Sequence, residues 1–254
     1  KVEQGDLLTA IYGSHGDAPK VVLAVSGIED CFYSMITARK IAETFNTVVV
    51  VLSDASLATA QQPFPRPQFD PDWLAPPLDQ TPIPDGVKPY DWDPVTGIAR
   101  RFVPGQPNGM HTLTGLAHDR GSKVAYDPEI NEEGLRNRSL KIAALQKTLK
   151  TAPVFGDPEG ELLVVGWGST KGVIEEAVER LRDEGCKVSS LHLTFIQPMP
   201  SGIREILKRF KRVMTIEGNW ADRRDDELID EDNRRYAALA MMLRSRYLVD
   251  VDCW

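Results

Sequence analysis

At 254 residues, 42% of them apolar, the chain is long enough for one large α/β domain or two of moderate size with real hydrophobic cores. Its 30 basic and 37 acidic side chains leave a net charge of -7, which argues against a surface built to bind nucleic acid or anionic membrane. No apolar run approaches the roughly 20 residues of a membrane span and no apolar signal segment opens the sequence, so the cytoplasm is the default compartment.

Leu7, Leu8, Ile11 and Tyr12 fall at helical spacing and Gly13 terminates them, so the sequence begins almost inside a helix and reads as a fragment. Residues 21–25 (VVLAV) and 48–52 (VVVVL) are β-branched runs that predict strands. Between them, 26–29 (SGIE) has the pattern of a capping box, and Ile28, Phe32, Met35, Ile41, Ala42 and Phe45 mark an amphipathic helix to about Asn46. Two strands make half a sheet at most, so the missing half is expected upstream or on a partner, with open strand edges in the isolated chain.

From 61 to about 109 the composition changes. Twelve of the eighteen prolines lie between Pro63 and Pro107, and proline both fixes φ and removes the backbone donor that helices and sheets need. Phe64, Phe69, Trp73, Tyr90, Trp92 and Phe102 are too many aromatics for a solvated linker, so the segment is expected to lie extended against other surfaces. A polar stretch with a helix at 137–148 follows.

The stretch 161–195 organises the rest. Residues 162–165 (LLVV) form a short apolar run closed by a glycine turn, as in a strand buried on both faces. Val173, Ile174, Ala177, Val178 and Leu181 then share one helix face, Gly185 stops that helix, and 188–195 is a second strand. Such a crossover puts the turn at the carboxyl edge of a parallel sheet, where α/β proteins bind ligands. A third crossover is predicted with Ser201 as N-cap and Ile203, Ile206, Leu207 and Phe210 on one face, followed by a strand at 213–216. The charge run 222–235 (DRRDDELIDEDNRR) reads as a solvated face or a docking surface, 236–246 as a helix and 247–251 as a last strand.

Few side chains suggest chemistry. Residues 166–172 (GWGSTKG) resemble a phosphate-cradling loop, with Gly168, Ser169, Thr170 and Lys171 as a candidate anion-binding turn; a tight turn capped by Ser169 or Thr170 is the plainer reading. His15, His111, His118 and His192 are isolated from one another. Cys31, Cys186 and Cys253 form no CxxC pair, so neither a zinc site nor a four-cysteine iron–sulfur site is expected on this chain. Asp54 and Glu217 each follow a strand's carboxyl end, where ligand contacts and helix caps both occur. No complete catalytic set is present.

Three segments in order carry a resemblance: residues 1–54 (KVEQGDLLTAIYGSHGDAPKVVLAVSGIEDCFYSMITARKIAETFNTVVVVLSD), 166–193 (GWGSTKGVIEEAVERLRDEGCKVSSLHL) and 196–219 (IQPMPSGIREILKRFKRVMTIEGN). The chain resembles the α subunit of 2-oxoacid:ferredoxin oxidoreductases, most closely the 2-oxoglutarate branch. The stretch 104–121 (PGQPNGMHTLTGLAHDRG) is similar to the family's connector, with Ala117 where a glutamate is usual, and the acidic run replaces a GQL-type pattern after Asn219.

The resemblance implies an α/β fold in which 1–60 is the C-terminal part of a thiamine-diphosphate pyrimidine-binding-type domain, 61–135 a proline-rich connector and 136–254 a transketolase C-terminal-like domain. It implies oxidative decarboxylation of 2-oxoglutarate to succinyl-CoA with electrons passed to ferredoxin, or the reverse carboxylation used in carbon fixation. Thiamine diphosphate with Mg would be shared with a β subunit, which would carry a [4Fe-4S] cluster, and coenzyme A would be a substrate; a dimer of α/β heterodimers is expected. The pocket-lining segment and the activating glutamate would lie upstream of Lys1. Lys1, Gln4, Asp6 and Asp54 would then sit at the edge of the pocket, with Lys1 as the cation for the substrate's distal carboxylate or as a local partner of an acid such as Asp6. A pyruvate or branched-chain 2-oxoacid enzyme, and a docking or nucleotide-binding module without catalysis, are the alternatives.

Overall fold

The fold is taken from a computed structural model, which describes residues 3–68 and 70–254. In chain order it begins with α1 (Leu7–Tyr12), β1 (Val21–Ala24), α2 (Ile28–Phe45), β2 (Val49–Leu52) and α3 (Ala55–Thr59). A long connector contains only the 3-10 turn Pro71–Trp73 and leads into α4 (Pro128–Thr148). Then follow β3 (Val154–Phe155), β4 (Gly160–Trp167), the 3-10 turn Gly168–Thr170, α5 (Lys171–Asp183), β5 (Val188–Leu193) and β6 (Phe195–Gln197). The chain closes with α6 (Ile203–Leu207), β7 (Phe210–Thr215), α7 (Ala238–Tyr247) and β8 (Asp252–Cys253).

The strands form two sheets, one ordered β2-β1-β6 and one ordered β3-β5-β4-β7-β8. In the first, β1 and β2 are parallel with Val21 opposite Val49, and all four residues of β1 are buried. Its other edge is covered from downstream in the same chain. β6 lies antiparallel on β1, pairing Val22 with Gln197 and Leu23 with Phe195. The expectation of open strand edges is corrected for β1 alone; β2 remains an edge strand among the described residues. The apparent single strand 188–195 divides at Thr194, whose carbonyl accepts from Ala24 N–H at 2.9 Å, so its last residue enters the other sheet. One core cluster consequently includes Val22 and Ala24 from the first sheet and Leu163, Val165 and Leu191 from the second.

Local chemistry adjusts several predicted boundaries. The N-cap of α2 is Gly27, one residue later than the capping-box pattern implied, and Asp30 reaches back to accept from Ser26 N–H at 2.8 Å and Ser26 Oγ at 3.0 Å. Asn46, in the left-handed region at φ 46, ends that helix. α4 starts at Pro128 rather than 137, because proline is tolerated at the first helical position and the first turns are polar and solvated. Gly202 at φ 87, and not Ser201, precedes α6. The expected strand 247–251 is absent: α7 runs to Tyr247, Leu248 ends it at φ 52, and only β8 pairs, parallel to β7, with Met214 opposite Asp252.

The connector lies against the folded body, as its aromatics implied. Ile83 and Phe102 are buried, and Tyr33 meets Trp73 edge-on at 5.5 Å. Gly97 explains how closely it approaches α4. It adopts φ +66, and a Cβ there would stand 2.3 Å from the Asn137 carbonyl oxygen. Gly97→Ala therefore combines left-handed strain with a backbone clash and should cost roughly 2–4 kcal/mol, read as a lowered midpoint in urea or thermal unfolding. An unchanged midpoint would mean that the connector does not need this contact.

Candidate functional site

The carboxyl ends of β1, β2 and β4 converge on a narrow cleft lined by Gln4, Asp6, Asp54, Trp167 and Gly168 among others. Gln4 is its fastener. The buried amide donates from Nε2 to the Trp167 carbonyl at 3.0 Å and accepts from Gly218 N–H at 2.7 Å, while Gln4 N–H donates to the Gly218 carbonyl at 3.0 Å. Gly168, at φ +64, lets the amide in: a Cβ there would sit 2.5 Å from Gln4 Nε2. Asp54 joins the other side. Its Oδ1 caps α3 by accepting from Ser56 N–H at 3.0 Å and Leu57 N–H at 3.2 Å, and its Oδ2 accepts from the Ser169 hydroxyl.

Behind this wall lies Glu217, whose carboxylate is buried and saturated with donors. It accepts from Leu239 N–H at 3.0 Å, Ala240 N–H at 3.3 Å, Asn219 Nδ2 at 2.8 Å, Trp167 Nε1 at 3.3 Å and Thr215 Oγ1 at 3.2 Å. Both strand-end acids are thus helix caps, Asp54 for the helix that follows it and Glu217 for α7, more than twenty residues downstream.

The structure brings Gln4, Asp6, Asp54 and Gly168 together, ties Ser169 to Asp54, and places Lys171 of the candidate anion-binding turn elsewhere. Ser169 is committed to Asp54, and Thr170 Oγ1 donates to the Trp167 carbonyl at 2.9 Å; neither side chain caps α5. Lys171 lines a second, larger cleft with Glu175 and His192. Gly166 serves packing, since a Cβ would meet Ile174 Cδ1 at 2.3 Å. Lys1 lies outside the described residues. The acidic run is more structured than a solvated face: buried Asp222 accepts from Arg235 N–H at 2.9 Å and Arg235 Nη2 at 2.7 Å, which holds its carboxyl well below the usual range. Among the described residues, no group of three or more His, Cys, Asp or Glu side chains could hold a metal ion.

Sequence reasoning missed two features. Trp167 and Gly218 look like ordinary loop residues until Gln4 docks on them, because their partner is 163 or more positions away. His192, in β5, is half-buried, its two ring nitrogens shielded from solvent and unbonded among the described residues, and burial, with Lys171 second and Asp30 opposing, pushes its pKa down to about 4.

A family model described as pyruvate:ferredoxin oxidoreductase core domain II matches residues 160–240. The 2-oxoglutarate oxidoreductase subunit KorA of Mycobacterium tuberculosis is 36% identical over 256 aligned positions, covering 99% of this chain and 36% of that protein. This chain belongs to the 2-oxoacid:ferredoxin oxidoreductase α-subunit family. It spans about a third of the length of such relatives; subunit alpha of 2-oxoacid:ferredoxin oxidoreductase 2 from Aeropyrum pernix, 32% identical, covers 85% of this chain and is itself covered to 34%. The solved 2-oxoglutarate:ferredoxin oxidoreductase of Magnetococcus marinus, which holds 2-oxoglutarate, coenzyme A and succinyl-CoA, superposes with a TM-score of 0.85 at 30% identity over 99% of this chain and 41% of that one.

The neutral state of His192 makes a pH signature. A folded pKa near 4 against 6.5 in the unfolded chain means the unfolded state binds the extra proton between those values. The stability this contributes is full above pH 6.5 and is lost as pH falls toward 4, up to roughly 3 kcal/mol. In denaturant titrations across that range, His192→Phe should flatten this part of the slope; an unaltered slope would show that His192 titrates normally in the fold.

Proposed function

We propose that this chain is part of the α subunit of a 2-oxoglutarate:ferredoxin oxidoreductase, which with a β subunit converts 2-oxoglutarate and coenzyme A to succinyl-CoA and passes electrons to ferredoxin, or runs the reverse carboxylation. The observation that carries this reading is the likeness to the Magnetococcus marinus enzyme over 99% of the chain, so that both sheets and the cleft between them fall within it. In this reading β1 and β2 belong to the pyrimidine-binding part and the five-stranded sheet to the transketolase C-terminal-like part.

The cleft's donor set fits one end of thiamine diphosphate. Carboxylates at Asp6 and Asp54 suit an uncharged aminopyrimidine, whose amino group needs acceptors, while the Gln4 amide is committed to Trp167 and Gly218. The family resemblance assigns the diphosphate, its Mg and a [4Fe-4S] cluster to the β subunit, and for the diphosphate the lack of a cation among the described lining residues supports this. When bound, the cofactor supplies the carbon nucleophile for decarboxylation. The residues of this chain hold the wall beside the ring and keep water from it: Gln4 locks the N-terminal segment to the turns after β4 and β7, and Asp54 with Ser169 locks the turn after β2.

Co-purification of the full-length subunit with its β subunit tests the reading. A brown complex containing thiamine diphosphate, and reducing ferredoxin with 2-oxoglutarate and coenzyme A, is expected; a complex turning over pyruvate or a branched-chain 2-oxoacid instead would transfer the chain to another branch, and a colourless, inactive protein would end the enzymatic reading.

Because the described cleft lacks a cation, the distal carboxylate of 2-oxoglutarate has to be met from elsewhere, and Lys1 is our candidate. Loss of one charge-assisted hydrogen bond should raise KM for 2-oxoglutarate about tenfold in the Lys1→Met complex. 2-Oxobutyrate, without the distal carboxylate, should be much less affected. Equal effects on both substrates, or none, would remove Lys1 from this role.

A further inference from the structure

A third concavity, open to solvent, is walled by the connector, the end of α2 and the middle of α4. Its lining includes Asn46, Thr47 and Val48, which precede β2, whereas the cleft described above includes Leu52, Ser53 and Asp54 at the other end of that strand. Four residue steps along the strand, about 13 Å, therefore separate Val48 at one edge from Leu52 at the other.

The lining of this concavity is cationic on a chain of net charge -7. Arg100, Arg101 and Lys141 face Glu43 as the only acid in it. Glu43 is taken by Arg101 and Arg100 pairs with Asp79 at 2.7 Å, but Arg100 Nε is buried without a partner. Lys141 is the least compensated of the three. Its ammonium donates to the Asn46 carbonyl at 2.9 Å and forms no ion pair among the described residues. Burial, with Arg138 second, pushes its pKa down. A half-buried ammonium without a counter-charge is costly in an apoprotein and is relieved by an incoming anion.

The same concavity has an aromatic wall. Tyr90 and Trp92 lie 5.7 Å apart, with Arg120 6.0 Å from the centre of the Trp92 ring, and Phe102 meets His111 edge-on at 5.6 Å. Flat rings beside convergent cations are the two elements that recognise a base and its phosphates. These three cations share one concavity of a chain that is acidic overall, which suits a single small ligand and not a polymer.

We propose that this concavity is a binding site for a free mononucleotide, its base against Tyr90 and Trp92 and its phosphates at Lys141 and Arg101. The inference does not depend on which 2-oxoacid the enzyme uses, or on whether it is an enzyme. Coenzyme A also ends in a phosphorylated adenosine; the position at the amino edge of β2, away from the cleft, favours a separate free ligand.

Equilibrium dialysis of the full-length protein against labelled ADP, without 2-oxoacid, tests this directly. Saturable ADP binding is expected, with adenosine and inorganic phosphate each binding more weakly. Lys141→Met and Trp92→Leu, in protein whose thermal unfolding remains cooperative, should each weaken ADP about tenfold or more. Lys211→Met, in the exposed pair with Glu161, serves as a control and should leave ADP affinity unchanged. No ADP binding at millimolar concentration, or binding that neither variant alters, would overturn the proposal. So would coenzyme A binding that both variants weaken in a protein that ignores ADP, which would give the site to the coenzyme's nucleotide end.

Discussion

The amide of Gln4 holds the structure's functional region together. Its side chain satisfies two backbone groups, the Trp167 carbonyl and the Gly218 N–H, and its own N–H satisfies the Gly218 carbonyl. Buried turns need partners for such groups, and here the partner is a residue from the far end of the chain. The three bonds also fix where α1 starts, and Leu7, fully buried, then enters the core cluster. Glu217 extends the constraint. One carboxylate gathers Trp167, Asn219 and the first amides of α7, so that a helix N-terminus and a strand end are set by the same charge. Removing either side chain would strand several polar groups in a region from which water is largely excluded.

β6 supplies the second constraint. With one residue between them, β5 and β6 belong to different sheets, and the chain passes from a parallel interior strand to an antiparallel edge. The two sheets therefore cannot separate without breaking a continuous apolar core that contains Val22, Leu191 and Ile196. For a protein whose candidate cleft is built from the ends of β1, β2 and β4, such fusion fixes the distance between its walls.

What was legible in the sequence follows from range. Strand runs such as 162–165 and the face Val173, Ile174, Val178 are local periodicities, and β4 and α5 form where those periodicities place them. The proline-rich connector and its aromatics were also legible, because composition alone says that such a segment packs without regular structure. Register and partners were not. That Phe195 leaves its sheet, that Asp30 replaces Glu29 as the cap, and that Tyr247 stays helical depend on contacts made by residues distant in sequence or on a single left-handed residue, Leu248. In the candidate site, Gln4, Asp6 and Asp54 come from the family resemblance and Gly168 from the glycine-rich turn; all four line one cleft, whereas Lys171 lines another with His192. No local signal marks His192 as unpartnered; strand alternation places it, and only the packed fold denies it a hydrogen bond.

Charge is distributed unevenly along β2, and this has a physical consequence. Its carboxyl end opens on Asp54, with Asp6 nearby and no cation in the described lining. Its amino end opens on Arg100, Arg101 and Lys141. A small anion would be drawn to one end and repelled from the other, and over about 13 Å, somewhat beyond the screening length in physiological salt, the two fields are largely independent. An uncharged group can be buried at the carboxyl end without opposing charge, but an anionic one would require positive groups that the described lining does not contain. A chain that caps its own helices with Asp54 and Glu217 has committed acids to the carboxyl edge for folding, so an anionic ligand at that edge would need cations beyond those of the described lining.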